Sequence, residues 1–124
     1  MTSILYVEDN EDNIYMLSRR LTREGFDVSI ARDGVEGVAM ARELLPDLVI
    51  MDLVLPELDG FEASSQLRAG EETAQIPIIA LSASVLPEHR HRAIDAGCDD
   101  FETKPVDFVR LLDKIEQLLK GRGA

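Results

Sequence analysis

Five times in succession along the chain, a short apolar run gives way to a longer amphipathic stretch, and no other feature restricts the fold as much. SILYV (3–7) is rich in β-branched and aromatic side chains and predicts a buried strand. EDNEDNIYMLSRRLTREG (8–25) sets Ile14, Leu17 and Leu21 at helical spacing and closes on Gly25, where a helix C-terminus favours glycine. FDVSIA (26–31) alternates Phe26, Val28 and Ile30 as a second strand. DGVEGVAMARELLP (33–46) predicts a second helix that starts at Asp33 and has Pro46 just past its end. Gly37 inside it costs about 1 kcal/mol relative to alanine, with no compensation visible in the sequence.

DLVIMD (47–52) is apolar on both faces, as expected of a strand in a parallel sheet covered by helices. DGFEASSQLRAG (59–70) predicts a third helix and IPIIALSAS (76–84) a fourth buried strand. LPEHRHRAIDAG (86–97) has proline near a helix start and glycine at its end. DDFETKP (99–105) holds a short fifth strand. VDFVRLLDKIEQLLKG (106–121) places Phe108, Leu111, Leu112, Ile115 and Leu119 on one helical stripe. Such alternation predicts an α/β fold, a parallel sheet with helices on both faces. No linker, repeat or low-complexity segment interrupts it, so one domain over residues 1–124 is expected, with no output domain after the fifth helix.

In folds of this kind ligands sit outside the carboxyl ends of the strands, where the strand order reverses. The predicted strands deliver polar residues to that end. The first is followed by Glu8 and Asp9, the third ends in Asp52, the fourth reaches Ser82, and Lys104 follows the fifth. Taken singly, each has an ordinary explanation. An aspartate after an apolar strand is commonly a cap or loop residue, a lysine before proline is commonly on the surface, and Glu8 and Asp9 suit the start of a helix. Their joint occurrence, each at the same end of its strand, points to a shared mouth.

Three carboxylates drawn together repel one another unless their pKa values rise or a cation settles among them. Lys104 is one cation. A hard divalent ion such as Mg²⁺ (or Mn²⁺) suits oxygen ligands, with one or two carboxylates completed by water and phosphate oxygens. Between such an ion and Lys104, Asp52 can stay ionised and attack a phosphoryl group, giving an aspartyl phosphate. Surrounding positive charge then stabilises the equatorial oxygens of the transferring group.

The bulk composition narrows the partners. Net charge is -11, from 13 Lys+Arg against 24 Asp+Glu, which argues against nucleic acid or an anionic membrane as the main partner. The single cysteine, Cys98, rules out an internal disulfide or a cysteine-based metal site and suits a reducing, cytoplasmic setting. MTSILYVEDN lacks the features of a signal peptide, and no apolar run approaches the ~20 residues of a membrane helix.

VEDN (7–10), MDLVLPELDG (51–60), ALSAS (80–84) and FETKP (101–105), in this order, make the chain resemble the receiver domain of two-component response regulators over essentially its whole length. VEDNEDN is particularly similar to receivers of multistep phosphorelays and small stand-alone regulators. The resemblance implies a doubly wound (βα)5 flavodoxin-like sandwich with its five-stranded sheet in the order 2-1-3-4-5. It implies Asp52 as phosphoacceptor, Asp9 as direct Mg²⁺ ligand, Glu8 as a ligand directly or through water, and the Val54 backbone carbonyl as another. It implies that Ser82 and Lys104 each bind a phosphoryl oxygen, that Lys104-Pro105 is cis, and that Phe101 is the switch aromatic.

On phosphorylation, Ser82 would swing toward the new charge and Phe101 would fill the vacated space. That would reshape the face made by the fourth helix, fifth strand and fifth helix. The donor would be a phosphohistidine on a sensor kinase or phosphotransfer protein. The output would be a protein contact or onward transfer, by a monomer or weak homodimer.

Some residues depart from the commonest pattern. Ser82 replaces the more frequent threonine, while Val54 and Ser84 occupy the variable positions that tune dephosphorylation in this family. An apolar Val54 offers no polar side chain to guide water, so slow to moderate autodephosphorylation is expected. Three other classes compete. An aspartyl phosphatase typically carries a second aspartate where Val54 stands. A flavodoxin-type cofactor binder needs a glycine- or hydroxyl-rich phosphate loop where EDNEDN is acidic. A phosphorylation-independent binding module would not need the complete residue set. His89 and His91 sit two apart on the fourth helix, point apart, and are expected to be exposed. With Arg90 and Arg92 they form a basic group on an acidic molecule. Cys98 is expected to pack.

Overall fold

A computed structural model describes residues 1–122, with the Arg122 side chain excluded. Gly123 and Ala124, part of the expected domain span, lie outside the described residues. Ten elements alternate in chain order. They are β1 (Ser3–Val7), α1 (Glu11–Arg23), β2 (Asp27–Ala31), α2 (Gly34–Leu44), β3 (Leu48–Asp52), α3 (Gly60–Ala69), β4 (Ile78–Ser82), α4 (Pro87–Asp95), β5 (Asp100–Thr103) and α5 (Phe108–Arg122). All ten predicted elements form, with ends shifted by a few residues. The largest shift is at α1, where Glu8 and Asp9 stand outside the helix and Asn10 caps it by accepting from the Asn13 N–H.

The strands lie in the order β2-β1-β3-β4-β5, every pair parallel. The chain steps outward from β1 to β2, then crosses back over β1 to start β3, so the order reverses between β1 and β3. Side-chain alternation divides each central strand between two cores. Leu5, Val7, Val49, Met51, Ile78 and Ala80 face one layer with Val38, Ala41, Ala63, Leu67 and Ala93 from α2, α3 and α4. Ile4, Tyr6, Leu48, Ile50, Ile79 and Leu81 face the other, with Leu17 and Leu21 of α1 and Phe108, Leu111 and Ile115 of α5. β3 and β4 are buried along their whole length, which accounts for their unbroken apolar sequences. On the predicted α5 stripe, Leu112 and Leu119 are only partly buried, at the margin of that second core.

Gly37 and Gly60 both answer to close packing near the carboxyl ends of the strands. A Cβ on Gly37 would stand 3.0 and 3.1 Å from the two Val7 methyls, so its absence lets α2 approach β1. That close approach accounts for a glycine inside a helix. A Cβ on Gly60 would lie 2.2 Å from the Asp52 carbonyl oxygen and 2.7 Å from Leu53 Cα. Gly60 thus seats the start of α3 directly against the end of β3. Asp59 caps that helix through the Glu62 N–H, as Asp33 caps α2 through the Glu36 N–H. Among the described residues, no helix is long and apolar enough to cross a membrane.

Candidate functional site

The reversal between β1 and β3 brings the predicted residues to one end of the sheet. Asp52 is the last residue of β3 and Ser82 the last of β4, while Glu8 and Asp9 follow β1 directly. Lys104 follows β5 and donates from its main-chain N–H to the Ser82 carbonyl, which holds the segment against β4. The Lys104-Pro105 bond is cis.

Carboxylate oxygens of Glu8, Asp9 and Asp52 all lie within 4.8 Å of one another. Lys104 Nζ lies 2.6 Å from Asp52 Oδ2 and 2.9 Å from Glu8 Oε1. Asp52 Oδ1 accepts from the Val54 N–H at 3.0 Å. Glu8 and Asp52 are buried, at 1% and 4% exposure, whereas Asp9 is open to solvent. Two carboxylates are therefore fixed in the wall and a third stands at the opening. Three carboxylates against one ammonium leave negative charge uncompensated. The donors are oxygens only, closely spaced and partly open, a set that fits a small hard dication.

The two buried acids respond oppositely to this crowding. Burial, then Glu8 beside it, pushes the Asp52 carboxyl up to about 6, against the pull of Lys104 and the Val54 N–H. Burial also opposes the charge on Glu8, but hydrogen bonding with Asp52 and Lys104 outweighs it and holds Glu8 below the usual range. Lys104 loses hydration, yet its two acidic partners hold it above the ordinary lysine value. The trio is thus one electrostatic unit in which a further positive charge would release Asp52 to ionise.

Glu8 has further partners that the sequence reading missed. Tyr6 donates its hydroxyl to Glu8 Oε1 at 3.2 Å, and the Asn10 N–H donates to Oε2 at 3.3 Å. Asn13 Nδ2 reaches Oε1 at 3.5 Å. A signal for the first was present: Tyr6 and Glu8 are two apart on an extended segment and so share a face.

Ser82 is buried at 5% exposure, and its hydroxyl accepts from the Ser84 N–H at 3.0 Å. Phe101 is 5% exposed and packs in the core with Ala80, its register partner on β4. The Val54 side chain is 75% exposed at the rim. Cys98 is buried beside the Ser64 hydroxyl, as expected. His91 is exposed, but the expectation for His89 needs correcting. His89 is half-buried with Nδ1 2.6 Å from Ser84 Oγ, because the first turn of α4 folds it back over the β4–α4 loop. Arg90 and Arg92 are exposed, and each lies over an aromatic ring. Their guanidinium carbons lie 6.0 Å from the Phe101 ring centroid and 3.9 Å from that of Phe61.

Residues 4–116 match the response regulator receiver domain family. The chain belongs to that family. It is 39% identical to Protein PilH of Pseudomonas aeruginosa over 121 residues, covering 98% of this chain and 100% of PilH. It is 38% identical over 120 residues to RpaA of Synechocystis, a DNA-binding dual master transcriptional regulator, covering 97% of this chain. This receiver chain spans 50% of RpaA. Among solved structures, the receiver domain of the sensor histidine kinase PA1611 from Pseudomonas aeruginosa superposes with a TM-score of 0.90 at 34% identity. The match covers 96% of this chain and 98% of that one, which is described with a magnesium ion coordinated in the active site cleft.

Proposed function

We propose that this receiver takes a phosphoryl group onto Asp52 from a phosphohistidine of a sensor kinase or phosphotransfer protein. The observation that carries the reading is the cluster of Glu8, Asp9 and Asp52 oxygens within 4.8 Å of one another, with Lys104 Nζ 2.6 Å from Asp52. Glu8, Asp9, Asp52 and the Val54 carbonyl would hold Mg²⁺, with Glu8 acting directly or through water; Mn²⁺ suits the same oxygens. When bound, the ion supplies charge neutralisation at Asp52 and at the phosphoryl oxygens.

The remaining steps belong to the chain. An Asp52 carboxylate oxygen attacks phosphorus, the phosphorus–nitrogen bond of the donor breaks, and its electron pair returns to the imidazole ring. Lys104, already beside the attacking carboxylate, moves onto a phosphoryl oxygen. Ser82 turns its hydroxyl toward another. Phe101 follows into the space behind Ser82 and changes the face of α4, β5 and α5. That face then binds a protein partner or the group passes onward. The domain acts as a monomer or weak homodimer in the cytoplasm, a setting that suits its one buried thiol.

The test is incubation with acetyl phosphate, with and without Mg²⁺, followed by intact mass and site mapping. Stoichiometric, Mg²⁺-dependent labelling that disappears in Asp52→Asn is expected. Label on another residue, or steady turnover of a phosphomonoester, refutes the proposal.

A further inference from the structure

The N-terminus of α4 is built unlike those of α1, α2 and α3, where a side chain of asparagine or aspartate caps the helix. Its cap position is Leu86, which has no side-chain acceptor, and Pro87 follows. The Leu86 N–H instead donates to Ser84 Oγ at 3.2 Å. His89, the third residue of the helix, reaches back to the same oxygen at 2.6 Å. In a capping box the third helical residue bonds the cap N–H directly. Here the Ser84 hydroxyl stands between them and relays the contact. The hydroxyl can accept from Leu86 and either donate to a bare Nδ1 or accept from a protonated one, so either imidazole form closes the bond.

Ser84 also faces the phosphorylation site through its main chain. Its N–H donates to Ser82 Oγ at 3.0 Å. Two hydrogen bonds therefore link the Ser82 hydroxyl through Ser84 to His89 on α4, and the Leu86 N–H joins them at the Ser84 hydroxyl. On the reading given above, Ser82 must turn this hydroxyl toward the phosphoryl group and give up the Ser84 N–H. While His89 grips Ser84, that N–H stays aimed at Ser82.

We infer that His89 is a positioning residue of the phosphorylation site, latching Ser82 in its resting orientation through the Ser84 hydroxyl. The inference rests on the proposed role of Ser82 and adds a latch outside the residues that touch the phosphoryl group. Its loss removes one hydrogen bond that opposes switching. A net hydrogen bond of about 0.5–1.5 kcal/mol corresponds to roughly a two- to tenfold change in affinity for the switched form.

The experiment is calorimetric titration of the full chain with beryllofluoride in excess Mg²⁺. His89→Phe keeps the ring and removes Nδ1, and is expected to bind severalfold more tightly than the parent. His89→Asn places an amide where Nδ1 stood and is expected to return affinity to the parent value, a rescue that general loosening of α4 would not produce. Ser84→Ala should match His89→Phe, and the double variant should gain nothing more. Parental binding with His89→Phe unchanged or weaker overturns the latch alone. No beryllofluoride binding by the parent overturns the reading of the site, and the latch with it.

Discussion

Replacing Asp52 with asparagine tests whether the three-acid site is electrostatically strained before any cation arrives. The buried Asp52 carboxyl is pushed up to about 6 from an ordinary 3.8. A rise of that size corresponds to about 3 kcal/mol at pH 7. Asparagine removes the charge and keeps the shape. It also keeps an acceptor for the Val54 N–H and gains donors that can face Glu8. Against this, Lys104 loses its partner at 2.6 Å, though it retains Glu8 at 2.9 Å. The expected net result is that Asp52→Asn stabilises the Mg²⁺-free protein by about 1–2 kcal/mol at pH 7. Urea unfolding followed by circular dichroism would show this as a midpoint raised by roughly 0.5–1 M.

The pH dependence carries the sign. The folded protein takes up a proton at Asp52 near pH 6, the unfolded chain only near 3.8. Lowering the pH from 7 to 5 therefore favours the folded parent, and its deficit relative to Asp52→Asn should narrow by about 1 kcal/mol over that interval. Glu8, held low, acts oppositely but only below its ordinary value of 4.5, outside the interval. Mg²⁺ should stabilise the parent more than the variant, which has one fewer charged ligand. If Asp52→Asn proves less stable than the parent in chelator at pH 7, or if the gap does not narrow toward pH 5, the strain does not exist.

Lys104→Ala leaves two buried carboxylates without their ammonium and should destabilise the Mg²⁺-free protein by about 3 kcal/mol in urea unfolding at pH 7. Adding Asp52→Asn to it should recover part of that loss. Gly60→Ala drives a methyl into the main chain of Asp52 and Leu53 and should cost about 3 kcal/mol or more, read from the same unfolding curves. Val54→Asn puts an amide at the exposed rim and should change the decay rate of the aspartyl phosphate, followed by acid-quenched mass spectrometry, without abolishing labelling. Decay of the parent's aspartyl phosphate within seconds, with no phosphatase present, would contradict the slow to moderate rate expected of Val54.

How far such a site can be read from sequence depends on what places each residue. Asp52, Ser82 and Lys104 were legible because strands impose direction: an apolar run of known length delivers its next polar residue to a known end of the sheet. The parallel order then gathers those ends whatever the loops do. Tyr6 was half legible, since period two puts it on the same face as Glu8, but nothing in SILYV says that its hydroxyl needs an acid. Gly37 was visible only as a local cost, because what it accommodates is Val7, thirty residues earlier in the chain. His89 was misread for a related reason. Two histidines on a helix declare only which way they leave that helix. The partner of His89 lies in the loop before it, and loop conformation is set by bonds such as Ser84 N–H to Ser82 that no periodicity encodes. Residues carried by regular elements can thus be assigned from pattern, while those that adjust the site through an irregular loop emerge only from coordinates.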